Sequence, residues 1–319
     1  MPSHDESKRM SGVACIGECM IELKQAVGGL YSRGWGGDTL NTAVYLARLG
    51  VGVDYITALG DDPYSDEMIA GWRAEGVGTG KVARLKGKLP GLYMIETDAK
   101  GERQFLHWRD SAAARMLMDL PETEQLLQSL SRYDLVYFSA ITLSIYTESG
   151  RARFLAALRS ARSRNTRVVF DTNFRARGWP DLDVARRVFG EAIEAADIVL
   201  ASNEDLLPLY PGDSADQLLA TICCSETVLK LGATGSVVRY GDVKHGLDLE
   251  PIAAAVVDTT AAGDSFAAAY LAARLAGHPP IESARAGHRL AGVVICHPGA
   301  IIPRTAMPTN PIPLRKASS

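Results

Sequence analysis

The sequence predicts an α/β fold in which a central, mostly parallel sheet is flanked by helices and carries a small β-sheet lid. In the second half of the chain, short β-branched runs alternate with helical stretches, as in parallel sheets with helices on both faces. In the first third, short strand-like runs occur without that alternation, which indicates a separate small sheet. The 319 residues are 47% hydrophobic and 22% charged, values typical of a globular chain that holds a large domain.

Three strand-like runs make up the predicted lid, at 20–23, 92–96 and 103–109. Each mixes apolar and polar side chains with partial alternation. A small sheet over the ligand-binding end of a parallel sheet can close on a bound ligand and exclude water. We therefore expect these strands to cover a site.

The predicted main sheet takes strands from apolar runs at 135–138, 168–170, 198–200 and 228–230. Helices are predicted between them at 149–164, 183–195 and near 216–222. The first of these helices carries on one face, which we expect to be buried, Phe154, Leu155, Leu158 and Ala161. Parallel sheets bind ligands at the carboxyl ends of their strands. The candidate binding segments are therefore the polar stretches after the strands, 171–175, 202–205 and 230–236.

Charge and composition argue against several functions. A formal net charge of −3 disfavours a nucleic-acid partner, which needs a concentrated basic face. No apolar run reaches the roughly 18–20 residues that span a bilayer, so we expect no membrane partner. The polar N-terminus lacks the apolar core of a signal peptide, and we expect a cytoplasmic protein. The five cysteines predict free thiols rather than a disulfide framework or a zinc site.

Four familiar catalytic motifs do not occur in the sequence. Gly80-Lys81 is followed by Val82, and Glu75 stands where a P-loop needs its first glycine. The chain also has no G-x-G-x-x-G, H-E-x-x-H or G-x-S-x-G pattern. The sequence therefore gives no support for a P-loop, dinucleotide-binding, zinc-protease or serine-hydrolase function.

The strongest chemical signal is the run Asp258-Thr-Thr-Ala-Ala-Gly-Asp264, which precedes a helix of small residues at 267–276. Small side chains at a helix start let an anion approach the free backbone N–H groups, and the positive helix end favours a phosphoryl group. Asp264 in that turn is placed to accept a proton from a hydroxyl that attacks phosphorus. The alternative is that Asp264 is only a favourable charge at a helix start.

A second signal is Gly36-Gly37-Asp38-Thr-Leu-Asn41, which opens a helix that extends to Leu49-Gly50. The glycines allow a ligand to come close to the backbone. Asp38 and Asn41 are about one helical turn apart and share a face, and together they suit a polyhydroxylated ligand. The alternative is that Asp38 only caps the helix.

These two motifs, in this order and with a βα pattern between them, resemble the paired signatures of the ribokinase-like (PfkB) carbohydrate kinases. The resemblance covers about residues 12–308. It implies one kinase domain over 12–308, with lid strands inserted at about 20–36 and 91–109. Residues 1–11 and 309–319 are then tails.

The resemblance also implies roles for individual residues. Asp264 is the expected catalytic base, and the amides of Ala262 and Gly263, next to Ala261, are the expected anion hole. ATP is expected across the strand ends, in contact with Asn173, Lys230, Gly232, Ala233, Gly235 and Gly299. Mg²⁺ is expected on phosphate oxygens and water, and a monovalent cation is a further candidate. The family often carries Asn-x-x-Glu near the metal. This chain has Ser202-Asn-Glu-Asp205, so either Glu204 or Asp205 takes that role through water.

Further stretches resemble the bacterial 2-keto-3-deoxygluconate kinases, a branch of the same family. They include Gly17-Glu-Cys-Met-Ile-Glu22, Pro90-Gly-Leu-Tyr93 and Asp171-Thr-Asn-Phe-Arg175. Arginine grips a carboxylate with two hydrogen bonds, so Arg109 and Arg175 suit a sugar acid. The alternatives are a surface charge at a strand end for Arg109, and pairing with Asp171 or Asp181 for Arg175. The substrate contacts implied are Gly37, Asp38, Asn41, Tyr93, His107, Trp108, Arg109 and Arg175.

The expected reaction transfers the γ-phosphoryl group of ATP to the 6-hydroxyl of 2-dehydro-3-deoxy-D-gluconate. Two alternatives stay open: a kinase for a neutral sugar such as fructose or ribose, and a catalytically silent sugar sensor on the same fold. The expected partners are the sugar acid and ATP. Exposed lid strands often pair between subunits, so we also expect a homo-oligomer, most simply a dimer.

Overall fold

The computed structural model describes residues 12–97, 103–250 and 254–309. The predicted tail at 1–11 lies outside the described residues, as does the other predicted tail after residue 309. The structure has a nine-stranded sheet and a separate four-stranded sheet, which confirms the predicted fold class.

The strands of the large sheet are β1 (Val13–Ile16), β4 (Val53–Gly60), β5 (Val82–Leu85), β8 (Leu135–Ser139), β9 (Arg167–Asp171), β10 (Ile198–Ser202), β11 (Glu226–Lys230), β12 (Ser236–Tyr240) and β13 (Val243–Leu247). Their order across the sheet is β13-β12-β11-β10-β9-β8-β1-β4-β5. The seven strands from β11 to β5 in this order run parallel, and β12 and β13 form an antiparallel edge. The carboxyl ends of seven strands therefore meet at one edge, where ligands bind in such sheets.

Helices cover both faces of this sheet. They are α1 (Asp38–Arg48), α2 (Pro63–Ala74), α3 (Thr123–Ser129), α4 (Ala140–Ile145), α5 (Glu148–Ser163), α6 (Leu182–Ala195), α7 (Asn203–Leu206), α8 (Ala215–Thr221), α9 (Ala262–Leu275) and α10 (Pro280–Val294). Alternate residues of β8 enter opposite cores: Val136 and Phe138 pack on the side of α5 and α6, and Leu135 and Tyr137 on the side of α1 and α9. A strand buried on both faces is apolar throughout, which explains why these runs stand out in the sequence. The predicted apolar face of α5 is buried.

The small sheet has four strands rather than the three predicted runs. They are β2 (Met20–Gln25), β3 (Tyr31–Gly36), β6 (Leu92–Thr97) and β7 (Arg103–Trp108), in the order β3-β2-β6-β7. Strand β3 pairs antiparallel with β2 through a turn in which Gly28 and Gly29 have positive φ. It lies within the range 20–36 that the resemblance implied for the lid, but the local pattern did not predict it, because half of its residues are exposed and they lack apolar alternation.

None of the helices among the described residues is long and apolar enough to cross a membrane.

Candidate active site

A large cleft runs between the small sheet and the carboxyl ends of the parallel strands. Its walls include lid residues such as Tyr93 and His107, strand ends such as Asp171 and Lys230, and the start of α9. Most of the residues singled out from the sequence line this one cleft. The exceptions are Trp108 and Gly299, which are not among its lining residues.

Asp264 lies in the first turn of α9, where its side chain is partly accessible from the cleft. Its Oδ2 accepts a hydrogen bond from Asn41 Nδ2 at 2.8 Å. Desolvation raises the pKa of Asp264 to about 8, and the negative charges of Asp38 and Asp171 act in the same direction. The Asn41 hydrogen bond and the Lys230 ammonium act against that rise. A carboxyl group with a pKa near neutrality is well matched to taking a proton from a hydroxyl.

The backbone that leads into α9 is strained at one residue. Ala261 has φ 60° and ψ 17°, a left-handed conformation that alanine rarely adopts. The first helical bond runs from Ser265 N–H to the Ala261 carbonyl oxygen at 2.9 Å, so the amides of Gly263 and Asp264 precede the helical ladder. Two backbone donors at a positive helix end are therefore available for an anion.

One of the two amides predicted to form the anion hole, that of Ala262, already has a hydrogen-bond acceptor in the structure. The Ala262 amide donates to the Thr259 carbonyl oxygen at 3.2 Å and is thus engaged within the turn. A positive side chain lies close by, because Lys230 Nζ is 3.4 Å from the position of a Cβ on Gly263 and 3.5 Å from Asp171 Oδ2. Gly263 therefore leaves room for an anion between its backbone and an ammonium group.

Asp38 is the first residue of α1, not its cap, because the N-cap position belongs to Gly37. Its Oδ1 accepts from Thr39 N at 2.8 Å, and its Oδ2 accepts from Asn173 Nδ2 at 2.8 Å. Burial raises the pKa of Asp38, and its hydrogen bonds, including one with Ser139, oppose that rise. Asn173, which we predict to contact the nucleotide, lines the cleft and donates this hydrogen bond to Asp38 of the second motif.

The lid contributes an aromatic wall. Tyr93 donates its hydroxyl to Glu22 Oε2 at 2.5 Å, and its ring stacks on His107 with centroids 5.9 Å apart. Phe105 continues the stack on the same side of β7. Trp108, one residue beyond His107, points to the other side and is 57% exposed. Trp108 is therefore outside the cleft lining in this structure, and its predicted contact with the substrate gains no support from the geometry.

The two arginines meet different surroundings. Arg109 forms an ion pair with Glu18, whose side chain has no solvent exposure. Burial raises the pKa of Glu18, whereas the Arg109 charge lowers it. Arg175 is 62% exposed, and its Nη1 lies 3.4 Å from Asp205 Oδ1. Neither alternative from the sequence holds: Arg109 is not a simple surface charge, and the ion-pair partner of Arg175 is Asp205 rather than Asp171 or Asp181.

The turn after β11 forms the opposite end of the cleft, with Gly232, Ala233 and Gly235 in its lining. Gly235 has φ 108°, and a Cβ there would collide with the Leu247 carbonyl oxygen. Gly299 lies apart from the lining, and its N–H donates to Asp258 Oδ2 at 3.0 Å. The prediction that Gly299 contacts nucleotide therefore has no support from this geometry, since its amide is engaged in holding Asp258.

Two groups in the cleft wall were not predicted from the sequence, the buried Glu18 and the half-buried His288. Glu18 sits between the first two strands, and only its place in a family-like motif drew attention to it. His288 on α10 bonds through Nε2 to Ser236 Oγ at 2.7 Å and packs edge-on against Phe266. Burial, and then the Lys230 charge, lowers the pKa of His288 to about 4. A single histidine in an amphipathic helix carries no sequence signal that would predict its position in the cleft wall.

The acidic residues at 204–205 differ in their freedom to approach a metal. Asp205 accepts from Thr172 Oγ1 at 3.0 Å and from the Phe174 amide at 3.1 Å, so its oxygens are engaged. Glu204 is exposed, lines the cleft, and has Oε1 3.5 Å from the position of a Cβ on Gly232. The described ranges contain no group of three or more His, Cys, Asp or Glu side chains that could hold a metal ion. The chemistry fits a Mg²⁺ ion held chiefly by phosphate oxygens and water, with Glu204 as the more accessible of the two carboxylates.

These features suit transfer of a phosphoryl group to a small polyhydroxylated molecule under a lid. A profile described as pfkB family carbohydrate kinase matches residues 10–307. The chain therefore belongs to the pfkB family of carbohydrate kinases.

Two relatives and one solved structure show more specifically which proteins the chain is similar to. The chain is 43% identical over 309 residues to a 2-dehydro-3-deoxygluconokinase of Dickeya dadantii, covering 93% of this chain and 98% of that protein. It is 40% identical over 307 residues to a 2-dehydro-3-deoxygluconokinase of Escherichia coli K12, with the same coverage. Its fold matches that of a fructokinase with bound ATP from Xylella fastidiosa, with TM-score 0.80, 22% identity, and 93% and 95% of the two chains covered.

Proposed function

We propose that this chain phosphorylates 2-dehydro-3-deoxy-D-gluconate at its 6-hydroxyl, with ATP as the phosphoryl donor. The observation that carries the proposal is the near full-length similarity to two 2-dehydro-3-deoxygluconokinases, at 43% and 40% identity. We further propose that residues 12–308 form one kinase domain and that the chain is a homodimer in the cytoplasm.

The proposed chemistry follows from the start of α9. Asp264 takes the proton of the 6-hydroxyl, the oxygen forms a bond to the γ-phosphorus, and the bond to the β-phosphate oxygen breaks to release ADP. The Gly263 amide and the Lys230 ammonium lie where they can stabilise charge on the transferred group. Mg²⁺, when bound with ATP, neutralises phosphate charge, and Glu204 is positioned to hold its water shell.

The acid end of the substrate is assigned to the cleft wall that carries Arg109 and Arg175. Arg109 is already paired with a buried carboxylate, so much of its charge is neutralised. Arg175 is largely exposed, with only a 3.4 Å contact to Asp205, and has donors left for a carboxylate. This arrangement supports a sugar acid rather than a neutral sugar.

The proposal is tested by ADP release with Mg·ATP for 2-dehydro-3-deoxygluconate, fructose, ribose and gluconate. We expect kcat/KM to be highest for the keto-deoxy acid by a factor of about a hundred or more, since a neutral sugar offers no carboxylate to the arginine donors of the cleft. A higher value for fructose or ribose would assign the chain to a neutral sugar. Binding of the sugar without ADP release would favour the silent sensor.

Arg175→Ala is expected to lower kcat/KM for the sugar acid by about tenfold to a hundredfold, mainly through KM, because a charge-assisted hydrogen bond is lost. The KM for ATP should stay within about twofold. Arg132→Ala, at an exposed arginine outside the cleft lining, is the matched control and should behave as the wild type. Unchanged kinetics of Arg175→Ala with the sugar acid would refute this residue's role.

A further inference from the structure

Asn41 and Asp264 are 223 residues apart in the chain, but their side chains meet in the cleft. Asn41 lies on α1 and is 6% exposed, and Asp264 lies in the first turn of α9. The Asn41 Nδ2 group donates to Asp264 Oδ2 at 2.8 Å, which leaves the other carboxylate oxygen without this bond. A carboxylate with one oxygen anchored presents the second in a defined direction.

We propose that Asn41 is a positioning residue that orients Asp264 to receive the substrate proton, in addition to any contact with the sugar. This inference rests on the proposed role of Asp264 as the base. The same two helices meet at a second point, where Thr42 Oγ1 lies 3.3 Å from the Asp264 backbone oxygen, one of three acceptors within its reach. Consecutive residues of α1 thus contact the side chain and the backbone of Asp264.

The electrostatic surroundings explain why such an anchor matters. Asp38 and Asp171 disfavour a negative charge on Asp264, and Lys230 is the cation that favours it. The negative charge of Asp264 also raises the pKa of three tyrosines, Tyr45, Tyr93 and Tyr137. An N–H donor to a carboxylate stabilises its ionised form. Asn41 therefore opposes protonation of the base in a pocket crowded with carboxylates.

The amide orientation of Asn41 also points to this role. Its Oδ1 is buried and has no hydrogen-bond partner among the described residues. Leaving a buried acceptor unsatisfied is unfavourable, and the reverse orientation would place two oxygens together and lose the bond to Asp264. A donor hydroxyl of the bound sugar would satisfy Oδ1. Asn41 can then donate to the base and accept from the substrate.

The test is the pH dependence of kcat/KM for the wild type, Asn41→Ala and Asn41→Asp, measured at saturating Mg·ATP from about pH 6 to pH 9.5. Loss of the donor raises the pKa of Asp264, so the acidic limb of Asn41→Ala should move up by about one pH unit or more. Asn41→Asp keeps the shape of the side chain but adds a second carboxyl group beside Asp264. We expect it to move the acidic limb to still higher pH than Asn41→Ala does. An unmoved limb with a raised KM would mean that Asn41 is only a substrate contact.

Asn173→Ala is the matched control, because it removes the same kind of bond from Asp38 instead of Asp264. We expect it to raise KM and to move the limb less than Asn41→Ala does. An equal movement would overturn the specific link between Asn41 and the base. Titration of the Asp264 carboxyl by ¹³C NMR in the free protein gives the same comparison without turnover, so the inference is tested even if the wild type prefers another sugar.

Discussion

Asp264→Asn is expected to lower kcat by about 10²–10⁴-fold, the contribution of a positioned general base. The asparagine keeps the shape of the side chain but cannot take the proton of the attacking hydroxyl. The KM values for sugar and ATP should change by less than about threefold, because neither ligand loses a large contact. Steady-state ADP release measures both constants. A variant with more than about a tenth of the wild-type kcat would remove Asp264 from the role of base.

The same substitution should also stabilise the fold at alkaline pH. The pKa of Asp264 lies near 8 in the folded protein and near 4 in the unfolded chain, so folding requires proton uptake between these values. The wild type therefore loses stability as pH rises through this window, and Asp264→Asn does not. At about pH 8.5 we expect the variant to melt at least about 2 °C higher, with a smaller difference at about pH 5.5. Equal melting temperatures at both pH values would contradict the raised pKa.

Arg109→Ala is expected to destabilise the fold strongly. It leaves the Glu18 carboxyl buried without its cation, and breaking a buried ion pair in this way costs about 3–5 kcal/mol. The Glu18 Oε1 atom already has no hydrogen-bond partner among the described residues, and the charge of Arg115, which also lowers the Glu18 pKa, should replace the lost ion pair only in part. Denaturant unfolding measures the change. Substrate affinity should fall as well, because Arg109 lines the cleft.

The double variant Glu18→Gln/Arg109→Ala separates these two effects. Removing both charges should restore much of the stability, since no uncompensated charge stays buried. It should not restore affinity for the sugar acid. Recovery of both properties would mean that Arg109 acts only through Glu18 on the fold. Recovery of neither would mean that the ion pair is not what makes Arg109→Ala unstable.

The elements that local pattern determines were predictable. Helix α5, predicted at 149–164 and observed at 148–163, has a strong apolar face, and the parallel strands are apolar because both of their faces are covered. Strand β3 was not predictable in the same way. Its exposed residues depend on pairing with β2 rather than on their own periodicity.

In the site, too, the residues in local motifs were predictable, whereas the contacts between distant residues were not. Asp38 and Asp264 were visible because each stands in a short glycine-containing motif at a helix start. The contacts that define their chemistry join distant parts of the chain, as Asn41 does with Asp264 and Glu18 with Arg109. No single-sequence pattern encodes such pairings. The pleat of β7 explains why Trp108 lies outside the cleft lining, since adjacent strand residues face opposite sides and the neighbouring His107 lines the cleft.

The most direct test of the proposed activity is a competition in one reaction. The purified chain is given Mg·ATP with equal amounts of 2-dehydro-3-deoxygluconate, fructose, ribose and gluconate, and the products are identified by ³¹P and ¹H NMR. We expect one new phosphomonoester, on the 6-oxygen of the keto-deoxy acid, formed in equal amount to ADP, and none with Asp264→Asn. A phosphate on fructose or ribose, or on another oxygen of the acid, would contradict the proposed activity.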